Sequence, residues 1–369
     1  MKRRKLINFA ILIIISYIIT GCGNKKDKHF YESKGLYDHN LVVKDSLMFV
    51  FKDSANYIGQ IYDIQFTYNK ILISDYNEHL SIFDNRLNFI TRIGTRGRGP
   101  GEFTFPPEMI LGEKNLILIN LTDQKYCTYD TNFNFITERD IRSKLRFIPS
   151  SALISISGKI ISHCYDPSSQ QGKNPFLNSN SLFIFNKNFS EIGELFPWKG
   201  YFLETRYLAY SYGTSKVLLA LGNNGFFASQ AGNIDFSLFS SDLKVIKTFG
   251  IKPKYFQNPP IEPDVLKTQR SIETAVAFTT KYTYRQKIVY DSLNHYLILS
   301  YSNLNKDFFY KRSLLLGHHY IQVYDKNYDC IFDGEVPGLV AFTMNGLVYI
   351  LTDETDSYIK LYGYEIIKK

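Results

Sequence analysis

Cysteine is scarce in this chain of 369 residues and tryptophan nearly absent: four Cys and one Trp, Trp198. Cys22, Cys127, Cys164 and Cys330 lie far apart without C-x-x-C spacing, so no zinc site is expected. Cys127, Cys164 and Cys330 sit in apolar or aromatic runs, where a free thiol behaves as a small hydrophobe. A Cys127–Cys164 disulfide is expected only if their strands are neighbours. A basic cluster is also missing. The formal net charge is +8, and without Lys2, Arg3, Arg4 and Lys5 it falls to about +4, spread along the chain. Nucleic acid is therefore not an expected partner. Beyond residue 20 no apolar run approaches the roughly 20 residues of a spanning helix. Neither H-E-x-x-H nor G-x-S-x-G occurs, which removes the common zinc-protease and nucleophile-elbow readings.

Aromatic residues, by contrast, are abundant. The chain holds 28 Tyr and 29 Phe and is 44% hydrophobic, material for a large core and a bias towards sheet.

The N-terminus carries an address. Lys2-Arg3-Arg4-Lys5 precedes an apolar run, Leu6 to Ile19, of about 14 residues, and Ile19-Thr20-Gly21-Cys22 follows. A charged segment, a short apolar segment and small residues before a cut site form a secretory signal. Cys after Thr-Gly resembles the bacterial lipobox, which implies cleavage before Cys22 and lipid on its thiol. The expected organisation is a signal peptide over 1–21, a lipidated tether over 22–39 and a folded body over 40–369. The membrane is then a partner through acyl chains rather than through a helix. Gly23 is not the Asp that retains many lipoproteins at the inner membrane, so an outer-membrane position in the cell envelope is expected.

Along the body one phrase returns five times: two β-formers, a small polar residue, a short turn and a second β-run. It reads Ile82-Phe83-Asp84, Thr128-Tyr129-Asp130, Ile184-Phe185-Asn186, Leu238-Phe239-Ser240 and Val323-Tyr324-Asp325. The polar residue and its followers supply a hairpin turn. A β-run ending in polar residues precedes each copy, such as Lys70 to Asp75, and a shorter strand such as Asp63-Ile64-Gln65-Phe66 lies upstream. Four strands in roughly 40 to 55 residues is the period of a β-propeller blade. A sixth unit, Leu347 to Gly363, has no clear fourth strand before the chain stops. An unused strand within residues 41–51 precedes the first unit. The expected fold is all-β: a six-bladed β-propeller of four-stranded antiparallel blades, closed by that N-terminal strand in the last blade. Residues 166–180 read as an extended loop, and Asp264 to Ala277 as a helix capped at Asp264. The long gap between the fourth and fifth phrases leaves room for a seventh blade, but shows no polar-punctuated hairpin.

Phe89 to Phe105 reads F-I-T-R-I-G-T-R-G-R-G-P-G-E-F-T-F. With the blade pattern and the lipobox it resembles the six-bladed β-propeller lipoproteins of TolB-like and NHL-repeat type from Gram-negative bacteria. The resemblance implies the fold without an established activity, and its Gly-rich loop is strong in the first blade only. Gly97, Gly99, Gly101 and Glu102 are expected to build the passage between blades. A phosphate-binding role is disfavoured because the loop lacks the Lys-Ser/Thr ending of a P-loop.

Asp75, Asn120, His163, Gln230, Asn303 and Asp353 occupy analogous second-strand ends in six units. They are the candidate ligand ring at the central channel, suited to a sugar, a peptide end or a calcium ion. Propeller esterases and lactonases hold calcium with such side chains, so a metal-assisted hydrolase or lyase is the alternative. Paired carboxylates with a positioned base are not evident, and no catalytic residue, metal ligand or cofactor is assigned. His318-His319 begins an apolar strand, where one ring should point inward and the other outward. The expected function is a monomeric, extracytoplasmic binding or scaffold module for an envelope protein, a peptide or a glycan. The residues Tyr201, Phe202, Tyr207, Tyr210 and Tyr212 offer contact area.

Overall fold

The computed structural model describes residues 33–369 apart from 52–56, 78, 111–113, 121–122, 142–147, 166–179, 200–216, 231, 259–270, 312 and 314. The expected signal peptide, Cys22, most of the expected tether, nearly all of the 166–180 loop, Tyr201 to Tyr212 and Asp264 lie outside the described residues.

Strands β1 (Ser33–Lys34) and β2 (His39–Val50) come first. Blade 1 is β3 (Ile61–Thr67), β4 (Lys70–Asp75), β5 (Leu80–Phe83) and β6 (Phe89–Ile93). Blade 2 is β7 (Glu108–Ile110), β8 (Leu116–Asn120), β9 (Lys125–Tyr129) and β10 (Phe135–Asp140). Blade 3 is β11 (Ile148–Ile156), β12 (Lys159–Tyr165), β13 (Asn180–Phe185) and β14 (Glu191–Pro197). Blade 4 is β15 (Val217–Gly222), β16 (Gly225–Gln230), β17 (Phe236–Ser240) and β18 (Val245–Phe249). Helix α1 (Ile272–Thr279) precedes blade 5, which is β19 (Thr283–Asp291), β20 (Tyr296–Leu304), β21 (Gly317–Tyr324) and β22 (Cys330–Val336). Helix α2 (Lys306–Lys311) connects β20 to β21. Blade 6 is β23 (Leu339–Met344), β24 (Leu347–Glu354) and β25 (Tyr358–Lys368), completed by β2, with β1 as a fifth strand at its edge. All pairings are antiparallel, and six sheets form the six-bladed propeller. Residues 271–282 carry α1 rather than a seventh sheet, and the Ser271 hydroxyl caps that helix by accepting the Thr274 N–H at 3.2 Å.

The reason a ring forms lies in the second strands. Ile71-Leu72-Ile73 and Leu297-Ile298-Leu299 are continuous apolar runs, the pattern of a strand buried on both faces. Successive side chains point to opposite faces and so enter different cores. Ile71 and Ile73 join the core shared by blades 6 and 1, while Leu72 joins the core between blades 1 and 2. Likewise Leu297 and Leu299 face blade 4, and Ile298 faces blade 6. Two further cores fill the joints between blades 2 and 3 and between blades 3 and 4. Each joint between adjacent blades therefore has its own core, and no blade can bury its faces alone.

The five repeated phrases adopt one turn. Asp84 Oδ1 accepts the N–H groups of Arg86 and Asn88 at 2.8 and 2.9 Å, and Asp130 does the same for Asn132 and Asn134. Asn186 and Asp325 repeat the pair of bonds, and the Ser240 hydroxyl accepts the Lys244 N–H. The next-to-last turn residue has positive φ in every copy: Leu87, Phe133, Phe189, Leu243 and Tyr328. Bulky residues rarely adopt this conformation. It is offset here by packing: Leu87, Phe133 and Phe189 are buried, each in the core of a blade joint.

Ring closure follows the expectation from the chain ends. β2 pairs with β25 over eleven register positions, from His39↔Lys368 to Val50↔Tyr358. Asp45 accepts a hydrogen bond from the Tyr349 hydroxyl at 2.6 Å, and the Lys369 N–H donates to Asp38 O at 2.7 Å. The condition for a Cys127–Cys164 disulfide, neighbouring strands, is not met. Cys127 is a free thiol in β9 of blade 2, and Cys164 belongs to β12 of blade 3, strands that are not paired. Burial and the Glu138 carboxylate push the Cys127 thiol up to about 12, so it stays protonated and unreactive at neutral pH.

Two outcomes test this architecture. Deleting residues 39–50 removes the strand that closes blade 6 and abolishes the cooperative melting transition; an unchanged melting curve contradicts closure. Phe189→Ala empties a buried ring from the joint of blades 2 and 3 and lowers the unfolding free energy by about 3–5 kcal/mol in denaturant titrations. A loss below about 1 kcal/mol would show that the positive-φ residue does not hold the joint.

Candidate functional site

Three of the second-strand ends meet the starts of the first strands: Asp75 pairs with Ile61, Gln230 with Val217, and Asn303 with Thr283, and the other three close second strands that run the same way. They thus share the face on which the chain passes from blade to blade. There five of the six hydrogen-bond backbone groups. Asp75 accepts the N–H groups of Gly59 and Asn77 at 3.0 and 2.8 Å. Asn120 Oδ1 accepts the Asp123 N–H at 3.1 Å, and its amide donates to Asp123 Oδ2. His163 Nδ1 meets Ser181 O at 2.8 Å, with its ring edge-on to Trp198. Gln230 accepts the Lys199 N–H and donates to Pro197 O, tying blade 4 to the passage out of blade 3. Asn303 accepts from Thr283 and donates to Tyr255 O. Asp353 accepts from the Thr352 hydroxyl at 3.3 Å. None of the six lines the axial cavity described next.

The Gly-rich passage is a folded unit as well. Phe103 is fully buried and pairs with Arg96 in a parallel bridge. Glu102 folds back so that its carboxylate accepts the Gly99 N–H at 2.7 Å, and a Cβ at Gly97 would collide with that carboxylate. Gly101 has φ +74° and donates to Glu138 at 2.9 Å, while Lys125 bridges Glu138 and Gly99 O. Burial raises the Glu138 pKa, but Lys125 and the Gly101 N–H outweigh it and hold the group below its ordinary value. The Gly99 and Gly101 N–H groups that a phosphate would need already bind carboxylates.

The axis is lined instead by first strands. A cavity of about 450 Å3 is bounded by residues 62, 63 and 65–67 of blade 1, Glu108 and Met109 of blade 2, Leu153 of blade 3, 217–221 of blade 4, 286–290 of blade 5, and Phe342 and Thr343 of blade 6. A smaller space of about 160 Å3 lies among blades 1, 5 and 6 and reaches Glu354. Tyr62, Asp63, Gln286 and Lys287 line both.

An ion pair lies between these two spaces. Lys287 of blade 5 reaches Asp63 of blade 1 at 2.9 Å and also donates to Ile64 O at 2.5 Å. Blade 6 intervenes in the ring, so the pair crosses the axial space rather than a single joint. Gln65 donates to the other Asp63 oxygen at 2.7 Å, and Gln286 donates to Ser302 at 3.0 Å. The Tyr62 hydroxyl donates to Glu108, joining blades 1 and 2. Burial and the Glu108 charge push the Tyr62 pKa far up, so the phenol remains a donor. Tyr62 also packs edge-on with Tyr76 and Phe105, at 5.5 and 5.8 Å between ring centres. Both outer rings are exposed, which gives the cavity an aromatic margin on the blade-passage face.

The histidine doublet splits as expected. His318 is exposed beside Glu335 at 3.0 Å, whereas His319 is buried on Ser302 at 2.7 Å. Burial lowers its pKa and keeps the ring neutral. Among the described residues no three His, Cys, Asp or Glu side chains come together as a metal set. The axial residues escaped the sequence reading because their strands lack the polar-punctuated ends that mark the second strands. The visible signal was the alternation of Asp63 and Gln65 within Asp63-Ile64-Gln65-Phe66.

Six sheets around an axial cavity define a six-bladed propeller. The chain belongs to the DUF5128 family, a 6-bladed beta-propeller family whose model matches residues 52–341. Two solved structures are similar. One is BF0058 of Bacteroides fragilis, provisionally named as an exported protein: TM-score 0.62, 14% identity, covering 91% of this chain and 97% of that one. The other is a DUF4221-family member of Bacteroides vulgatus: TM-score 0.63, 12% identity, covering 90% of this chain and 99% of that one. At these identities the likeness shows the fold alone. No curated protein matches the chain.

Glu354 supplies a pH test. It accepts the Ile61 N–H at 2.8 Å, yet burial raises its pKa above the ordinary glutamate value. A folded-state carboxyl with a raised pKa holds protons that the unfolded chain has released, so its contribution to stability falls as pH rises through that window. Glu354→Gln removes this fall. In urea titrations from pH 4 to pH 7 the variant gains stability relative to the native chain as pH rises; a constant difference would contradict the assignment.

Proposed function

We propose that this propeller is an exported, lipid-anchored binding module whose axial cavity takes the end of a glycan chain. The observation that carries the reading is the cavity's hydrogen-bonding wall. Asp63, Gln65, Glu108, Gln286 and Lys287 supply acceptors, amides and an ammonium from three blades. Such a mixed set suits a ligand rich in hydroxyl groups, each of which both donates and accepts. The exposed rings of Tyr76 and Phe105 offer apolar faces to a sugar at the margin. A volume of about 450 Å3 falls within the range of small-ligand sites.

The lipobox at Cys22 and the lipoprotein resemblance support anchoring, and the provisional naming of BF0058 as exported agrees with work outside the cytoplasm. Gly23 favours the outer membrane. The TolB-like and NHL-like features rest on the 94–106 passage. No catalytic step is part of this reading, and the calcium-assisted alternative has no three-residue metal set among the described residues to rest on.

Calorimetric titration of the purified protein with envelope glycans and peptides tests the reading. Saturable glycan binding is expected, weakened about tenfold, near 1.4 kcal/mol, by Gln65→Ala or Gln286→Ala. Binding of peptides alone, or binding untouched by both substitutions, would refute it.

A further inference from the structure

We propose that the hairpin face of the propeller, opposite the blade passages, lies against the lipid surface; this rests on the anchoring of Cys22. Strand direction alternates within each blade, so the turns from first to second strand and from third to fourth strand share one end of the ring. Residues 35–38 cross that same end, since His39 pairs with Lys368 and Lys369 Nζ donates to Gly35 O and Tyr37 O. β1 then turns back along β2, with Ser33 opposite Leu41, so the tether joins the ring two register positions in from this face. Eleven residue-to-residue steps separate Cys22 from Ser33. Their full extension is about 40 Å at roughly 3.6 Å per residue, short enough to keep this end of the ring close to the acyl chains.

The surface itself fits a lipid boundary. Of the sixteen large apolar side chains exposed among the described residues, nine lie in these turns or within two residues of them. Ile90, Ile136, Ile192 and Ile246 stand at the same place in four consecutive blades, directly after the repeated turn. Leu36 lies in the crossing segment, and Leu293, 66% exposed, tips a hairpin of blade 5. Cations accompany them: Arg86, Lys187, Lys244 and Lys326 are exposed in the turns. Asp84, Asp130, Asp242, Asp325 and Asp329 share those turns, so the face carries no net positive charge there and its fit to lipid comes from apolar area. Long basic side chains reach phosphate headgroups while apolar neighbours enter the boundary. With this face down, Tyr76 and Phe105 point away from the membrane.

The single tryptophan makes the test clean. The full lipidated chain, carrying Trp198→Phe with either Ile136→Trp or Tyr76→Trp, is placed in phosphatidylcholine vesicles with brominated acyl chains. The expected result is loss of emission from the tryptophan at 136 and unchanged emission at 76. Equal emission loss at both positions, or none at 136, overturns the proposal. Mass spectrometry of the N-terminal peptide reports acylation independently. An unacylated chain removes the anchor reading and this proposal together, whereas an acylated chain without loss at 136 removes the proposal only.

Discussion

The pairing of β2 with β25 is the contact on which the rest of the molecule depends. It joins the start of the folded chain to its end over eleven register positions. β2 also contributes to two cores: Leu47 and Phe49 pack between blades 6 and 1, and Leu41 packs between blades 5 and 6. Without it, one joint opens and both faces beside the gap lose their partner. Hydrophobic burial drives each joint, but closure decides whether six joints or five exist. An open ring would also present the unpaired edge of β25 to other chains.

Closure places residues remote in sequence on one axis. Asp63 and Lys287 are 224 positions apart, yet they meet at 2.9 Å because blades 1 and 5 flank blade 6 in a closed circle. Tyr62 and Glu108 meet by the same logic across the first joint. The axial cavity is thus a product of ring geometry, with each blade contributing only a few side chains from its first strand. The blade-passage face is held by buried polar groups, Asp75 and Gln230 among them, whose hydrogen bonds go to backbone. Their burial is tolerated because those partners are present.

The fold was legible because it is written five times. Asp84, Asp130, Asn186, Ser240 and Asp325 mark the same turn, and the continuous apolar second strands mark burial on both faces. The site was legible only in part. Second-strand ends such as Asp75 and Asn120 stood out as polar residues closing apolar runs, but the sequence does not tell whether such a residue faces the axis or caps a neighbouring passage. The Asp63–Lys287 pair left no local trace, since neither residue is unusual in its own strand. The thiol of Cys127 shows the same boundary: its spacing allowed a disulfide with Cys164, and blade assignment excluded it.

Hydrogen exchange of the backbone amides tests the closure most directly. In a ring held by β2, the amides of β2 and β25 exchange only through global unfolding, with the same free energy as central strands such as β20. Exchange of β2 that is orders of magnitude faster, while β20 stays protected, would show a propeller that stands without its N-terminal strand and would contradict the account.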